Sequence, residues 1–159
     1  MKVNPSRLIL AAPVIFVAHV IEEAPAFVDW FNSLVKTHPI NQQMFINVNV
    51  WGFFITLLVA ALFAAARERV TAYIALCWLS AIMLANAIFH IAGTVAFKRY
   101  APGVVTATLL YLPFFSWFLF LTLKRYQLSR LLTAVVIAVG AAPMLLHGYR
   151  IVFEGRRLF

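Results

Sequence analysis

The sequence predicts an all-α fold: a polytopic membrane helical bundle of about five transmembrane helices, folded as a single domain over residues 1–159. Three observations predict it. Apolar residues make up 64% of the chain and charged ones 11%, where a soluble domain has about 45–50% and 25%. The apolar residues fall in five runs, each near or above the roughly 20 residues a helix needs to cross about 30 Å of hydrocarbon. The basic residues that give the net charge of +8 sit between those runs rather than in one patch, so the charge reads as helix-end anchoring and not as nucleic-acid binding. A barrel is excluded because the runs are continuously apolar instead of alternating, and lipid requires every backbone group to be paired within the segment. The lone Cys77 excludes a disulfide scaffold.

The runs are read at Leu8 to Ala26, Phe45 to Ala66, Val70 to Phe97, Val104 to Leu123 and Leu131 to Phe153. Lys2 and Arg7 precede the first, which also has the outline of a cleavable signal peptide ending at Ala24-Pro25-Ala26. Two glutamates just before that cut make a poor site, so the first helix is expected to be retained. The connection from Phe27 to Met44 is long and polar, holding Asp29, Trp30, Lys36, His38, Gln42 and Gln43. It is expected to lie at the membrane interface as a short surface helix, with His38 exposed. The third and fifth runs exceed the required length and should tilt or project. Pro13, Pro113 and Pro143 should kink their helices, and Pro102-Gly103 should make a tight turn before the fourth. Seven Lys and Arg fall on the side of the N-terminus (2, 7, 67, 69, 124, 125, 130) against Lys36, Lys98, Arg99, Arg156 and Arg157 on the other. That bias favours a cytoplasmic N-terminus in a cell inner membrane.

The informative feature is where polarity occurs inside the runs. His19, Glu22 and Glu23 form His-x-x-Glu-Glu, and spacings of three and four put both carboxylates on the imidazole's side of one helix. Charges in hydrocarbon cost about 2.5–3.5 kcal/mol each, so such residues face a bundle interior and need partners from other helices. Counting from Arg7, Arg69 and Arg130, the residues Glu23, Asn86 and His147 all lie 16 or 17 positions on, about 25 Å along their helices. They share one layer. His90 is one turn beyond Asn86, Arg150 one turn beyond His147, and the antiparallel helices bring Asn47, Asn49, Thr106 and Thr108 to the same level.

The His-x-x-Glu-Glu segment, with Asn86, His90, Thr94, the stretch Lys98-Arg99-Tyr100-Ala101-Pro102-Gly103 and Thr106, resembles the HXXEE-domain family of small bacterial membrane proteins. The resemblance runs from the first helix through the fourth. The family is named for its motif and has no assigned activity, so the resemblance implies which residues matter and not what they do.

From residue chemistry, His19, Glu22, Glu23, His90 and His147 are candidate ligands of a divalent metal, zinc or iron, in a mixed nitrogen and oxygen site. Glu22, Glu23, His19 and Asn86 are the candidate catalytic residues, and Lys98, Arg99 and Arg150 the candidate binders of a polar headgroup. The function expected is a metal-dependent enzyme acting on a lipid or isoprenoid-like substrate. A metal-free acid–base isomerase or cyclase and a small transporter or ion pathway are the alternatives. Membrane lipids and a hydrophobic or amphiphilic small molecule are the expected partners. Alanine-rich faces on the second and third helices permit oligomerisation.

Overall fold

A computed structural model describes residues 3–35 and 38–157; Lys2 and Lys36, counted above, lie outside the described residues. Five helices are long and apolar enough to cross a membrane: α1 (Pro5–Glu23), α3 (Gln42–Ala66), α4 (Arg69–Phe97), α5 (Val104–Tyr126) and α6 (Arg130–Glu154). A short helix, α2 (Phe27–Asn32), stands between the first two. Among the described residues there is no strand.

The helix ends follow from local chemistry. Asn4 caps α1 by accepting from the Ser6 amide, with Pro5 in the first turn, where its missing N–H costs nothing. The helix therefore begins three residues before the apolar run, and it stops at Glu23, ahead of Pro25. Asn41 accepts from the Met44 amide at 2.8 Å to start α3, Glu68 and Thr71 form a capping box for α4, and Ser129 caps α6. Arg67, Lys98 and Gln127 end α3, α4 and α5 in the left-handed conformation.

α4 is central. It packs against α3, α5 and α6, while α1 fits against α3 and α5; among the described residues α3 and α6 share no packed interface. Small residues allow this closeness. Ala60, Ala72 and Ala75 are fully buried, so part of the alanine surface on α3 and α4 is consumed inside the bundle. Gly140 of α6 passes so near α4 that a Cβ there would land on the Cys77 carbonyl and the Ser80 hydroxyl. One half of the bundle is an apolar core around Phe63, Leu76, Leu79, Met83 and Phe118. Outward side chains such as Val14, Leu58 and Leu131 are at least two-thirds exposed, as lipid-facing residues should be. Trp51 and Trp117 also face outward, whereas the Trp78 indole donates to Thr56 Oγ1 at 3.0 Å.

The prolines act less uniformly than their positions suggest. Pro13 follows a tightened 3₁₀ turn at Ile9–Ala11. Pro113 follows a π-helical turn at Ala107–Tyr111, and Pro143 lies inside the regular part of α6. A further π turn, Ser80–Ala85, interrupts α4 just before Asn86 with no proline to signal it; such turns recur beside functional sites.

The expectation of a surface-lying helix between α1 and α3 needs correction. Trp30 and Phe31 of α2 are buried against Phe89, Ala101 and Ile151, and the Trp30 ring lies over Gly93, which leaves it room. Arg99 fixes this arrangement by donating to the Trp30 carbonyl at 3.3 Å and to Ser33 Oγ. α2 is thus part of the floor of the polar end. His38 is exposed. The described ends of the chain lie at opposite ends of the bundle: Val3 flanks a groove with Lys124 and Arg125, and Arg157 donates to the His38 carbonyl at 3.0 Å.

Candidate metal centre

His19 and Glu23 are one turn apart at the end of α1, and His90 reaches them from α4. Glu23 Oε1 lies 3.1 Å from His90 Nε2 and 3.5 Å from His19 Nε2. The three side chains are almost fully buried, and one ligand atom from each falls within 4.8 Å of the others. The rings of His19 and His90 meet edge to face at 5.0 Å, and Tyr111 of α5 packs on His19 at 4.3 Å.

Gly103 closes the cluster from above. Its φ of +98° is open to glycine, and a Cβ there would come within 2.8–3.0 Å of His19, His90 and Glu23 together. The turn is held down by Thr94, whose hydroxyl donates to the His90 carbonyl at 2.9 Å and accepts from the Ala101 amide at 3.3 Å.

The second glutamate has a different task. Glu22 accepts the Tyr100 hydroxyl at 2.5 Å, the Val105 and Thr106 amides at 3.0 and 2.7 Å, and the Thr106 hydroxyl at 2.5 Å. Four donors match an ionised carboxylate, which accepts only. It thereby caps the first turn of α5 from another helix, at the positive end of the dipole. Tyr100 lies outside the membrane-spanning helices. Burial and the hydrogen bond to Glu22 push its phenol up to about 12.

This capping assigns protons in the cluster. Thr106 has one hydroxyl hydrogen, and the 2.5 Å contact to Glu22 takes it in preference to the Gly103 carbonyl at 3.3 Å. Thr106 Oγ1 must then accept from His19 Nδ1 at 2.8 Å, which leaves the lone pair of a neutral His19 on Nε2, facing Glu23. Neither His19 Nε2 nor His90 Nε2 makes an aligned hydrogen bond, close as both are to Glu23 Oε1. Two lone pairs held at 3.5 Å need a cation between them, a proton or a metal ion. Ligand atoms about 2.0–2.2 Å from one ion lie at most about 4.4 Å apart, so the spread here accommodates a divalent ion with small side-chain adjustments. The set of two imidazoles and a carboxylate suits zinc or non-haem iron. The His19–Thr106–Glu22 chain is the orienting hydrogen bond that metal-bound imidazoles usually have.

Glu23 also borders a cavity of about 260 Å³. Asn86, His147, Asn49 and Arg157 reach it, and Phe27, Phe31, Phe45, Val48, Met144 and Ile151 form most of the wall. Asn86 Oδ1 is buried with no hydrogen-bond partner among the described residues.

The structure therefore brings His19, Glu23 and His90 together and places Asn86 and His147 on the lining of the cavity that Glu23 borders. Glu22 is turned away to the Tyr100–Thr106 turn, so the adjacent carboxylates occupy separate surroundings. Lys98, Arg99 and Arg150 do not converge on one headgroup site, because Lys98 ends α4, Arg99 is tied to α2, and Arg150 pairs with Glu154 at 3.1 Å. Sequence reasoning missed Tyr111, whose hydroxyl is buried without a partner among the described residues. A phenol five residues after Thr106 in an apolar run was the available signal; the π turn spanning Ala107–Tyr111 obscured it, since α-helical spacing alone does not give that register.

A family model described as "Protein of unknown function with HXXEE motif" matches residues 10–118, which include His19, Glu22, Glu23, Asn86, His90, Gly103 and Thr106. No curated protein and no solved structure matches the chain.

Proposed function

The chain belongs to the HXXEE family, and we propose from that premise that it is a membrane-embedded, metal-dependent enzyme acting on a lipid or isoprenoid-like substrate. The observation that carries the reading is the buried His19–Glu23–His90 cluster, with one imidazole lone pair steered toward Glu23 by Thr106 and Glu22. A buried carboxylate and imidazoles in contact but out of hydrogen-bond alignment support this reading, because ligands around a shared ion approach one another in that way. A divalent zinc or iron ion bound there supplies Lewis acidity to polarise a substrate oxygen or activate water.

The remaining work falls to the chain itself. Glu22 and Thr106 keep His19 in one tautomer. Gly103 covers the cluster and excludes water from above, and the aromatic walls keep the cavity apolar. Asn86 offers an acceptor to the reacting end of a substrate. Confinement of the polar groups to one half of the bundle favours an enzyme over a transporter, whose site lies near the midplane. The Glu22–Thr106–His19 hydrogen-bond chain, which ends beside Glu23, favours a second reading, acid–base catalysis with a proton in place of the metal. We place the chain in a cell inner membrane with its N-terminus cytoplasmic, as the basic bias favours; reporter fusions at the two ends check this, and equal signals would refute it.

Elemental analysis of protein purified in detergent without chelators tests the metal. Near-stoichiometric zinc or iron is expected, with His90→Ala and Glu23→Gln losing it and Glu22→Gln binding it about 10–100-fold more weakly. Wild-type protein that stays metal-free after exposure to both ions would leave acid–base chemistry as the reading. Conversion of lipid extract by wild type and not by Glu23→Gln is the expected activity. Equal product profiles from the two proteins, with solute or proton flux in liposomes that Glu23→Gln abolishes, would replace the enzyme with a transporter.

A further inference from the structure

The cavity beside Glu23 has a construction of its own. Its two lateral walls come from α3, through Phe45, Val48 and Asn49, and from α6, through Met144, His147 and Ile151. These helices both pack on α4, and among the described residues they share no packed interface; the segment after α6 reaches α3 through Arg157, which donates to Met44 Sδ at 3.9 Å. The space between them at the polar end is therefore a slot. Val48 is exposed on the outer side of α3 while also lining the cavity, so the slot faces the direction in which the bundle presents its lipid-contacting side chains.

The inner end is polar in a particular way. Glu23 and the unpartnered Asn86 Oδ1 are both hydrogen-bond acceptors, and an acceptor buried without a partner is destabilising until a donor reaches it. A phosphate or carboxylate would bring only acceptors to that end, where Asn86 Oδ1 needs a donor; Arg157, which also lines the cavity, already donates to the His38 carbonyl at 3.0 Å and to Met44 Sδ at 3.9 Å. A hydroxyl brings a donor and no charge. The volume, about 260 Å³, equals roughly nine water-sized groups, enough for a short head segment but too small for a fused-ring lipid. The rest of a longer chain has the slot between α3 and α6 to occupy.

We infer that this cavity binds the uncharged, hydroxyl-bearing end of a long-chain alcohol, which enters sideways from the bilayer between α3 and α6 and donates its hydrogen to Asn86. The inference deepens the proposed function, because it names the chemical class of the substrate for the same site. It does not need the metal: Asn86 and the apolar walls are in place with or without an ion.

Binding of radiolabelled 1-decanol to purified protein in nanodiscs, competed by unlabelled 1-decanol, decane, decyl phosphate or decanoate, tests it. Saturable binding is expected, with 1-decanol displacing the label at concentrations at least tenfold below the other three. Asn86→Leu, which keeps the volume and removes the acceptor, should weaken 1-decanol about tenfold and leave decane unchanged, with metal content as in wild type. Val48→Trp, which fills the slot from the exposed side of α3, should weaken all four. Should Asn86→Leu fail to fold, Asn86→Ala serves the same comparison, since it also removes the acceptor and should weaken 1-decanol more than decane. Displacement by decyl phosphate at or below the concentration needed for 1-decanol would overturn the proposal in favour of an anionic headgroup. Equal displacement by decane, or no saturable binding, would also overturn it. Saturable, Asn86-dependent binding to a protein that takes up no metal would leave this inference standing while refuting the metal reading.

Discussion

Replacing Gly103 by alanine should damage the cluster out of proportion to the single methyl added. The residue sits at φ +98°, and a non-glycine residue in a sparsely populated backbone region costs about 1–3 kcal/mol. The new Cβ would also lie 2.8 Å from His19 Cε1, 2.9 Å from His90 Cε1 and 3.0 Å from Glu23 Cγ. None of these three atoms can retreat freely, because His19 is held through Thr106 and all three side chains are buried. Overpacking of this kind costs about 1–3 kcal/mol, so the combined destabilisation is about 2–6 kcal/mol. Gly52→Ala is the internal control. Its Cβ would meet only the tip of the Phe16 ring, at 2.9 Å, and alanine is the better helix former by about 1 kcal/mol. Thermal unfolding followed by tryptophan fluorescence in detergent, with metal content measured on the same samples, is the assay. Gly103→Ala should lower Tm by about 5 °C or more and lose bound metal, while Gly52→Ala changes neither much. A Gly103→Ala protein with wild-type Tm and metal content would refute the claim that the turn presses directly on the cluster.

Gly140→Ala should fail more completely, because its Cβ would meet the Cys77 carbonyl, which is backbone and cannot rotate away; a shift to the aggregated fraction on size exclusion is expected, and adding Ser80→Ala should not rescue it. The Tyr100 contact makes an alkaline prediction. Its phenol titrates at about 12 when folded against an ordinary 10.0, so its stabilising contribution is complete below pH 10 and is lost as pH rises from 10 to 12. Wild type should therefore melt above Tyr100→Phe at pH 9, with the gap closing by pH 12.

Much of the architecture was decided by composition and order along the chain. Five apolar runs punctuated by basic residues leave a chain in lipid no alternative to helices, since backbone groups without water must pair within their own segment. Helical rise alone put Glu23, Asn86 and His147 at one depth, and all three line one cavity. The caps at Asn4, Asn41 and Ser129 are readable for the same reason: each interaction spans only two or three residues.

Tertiary structure decided which polar residues meet. Glu22 and Glu23 are neighbours with nearly the same local prospects, and one faces two histidines while the other caps α5 across 84 positions of chain. That choice depends on where the 98–106 turn lands, which depends in turn on a glycine small enough to lie on the imidazoles. Tyr111 and the π turns were illegible because an extra residue in a helical turn leaves no mark on an apolar run. The burial of Trp30 was hidden because its amphipathic ring suits an interface as well as a core, and only Gly93 on another helix provides the space that draws it in. Periodicity along one helix states what can face inward; the packing of the others against it determines what is found there.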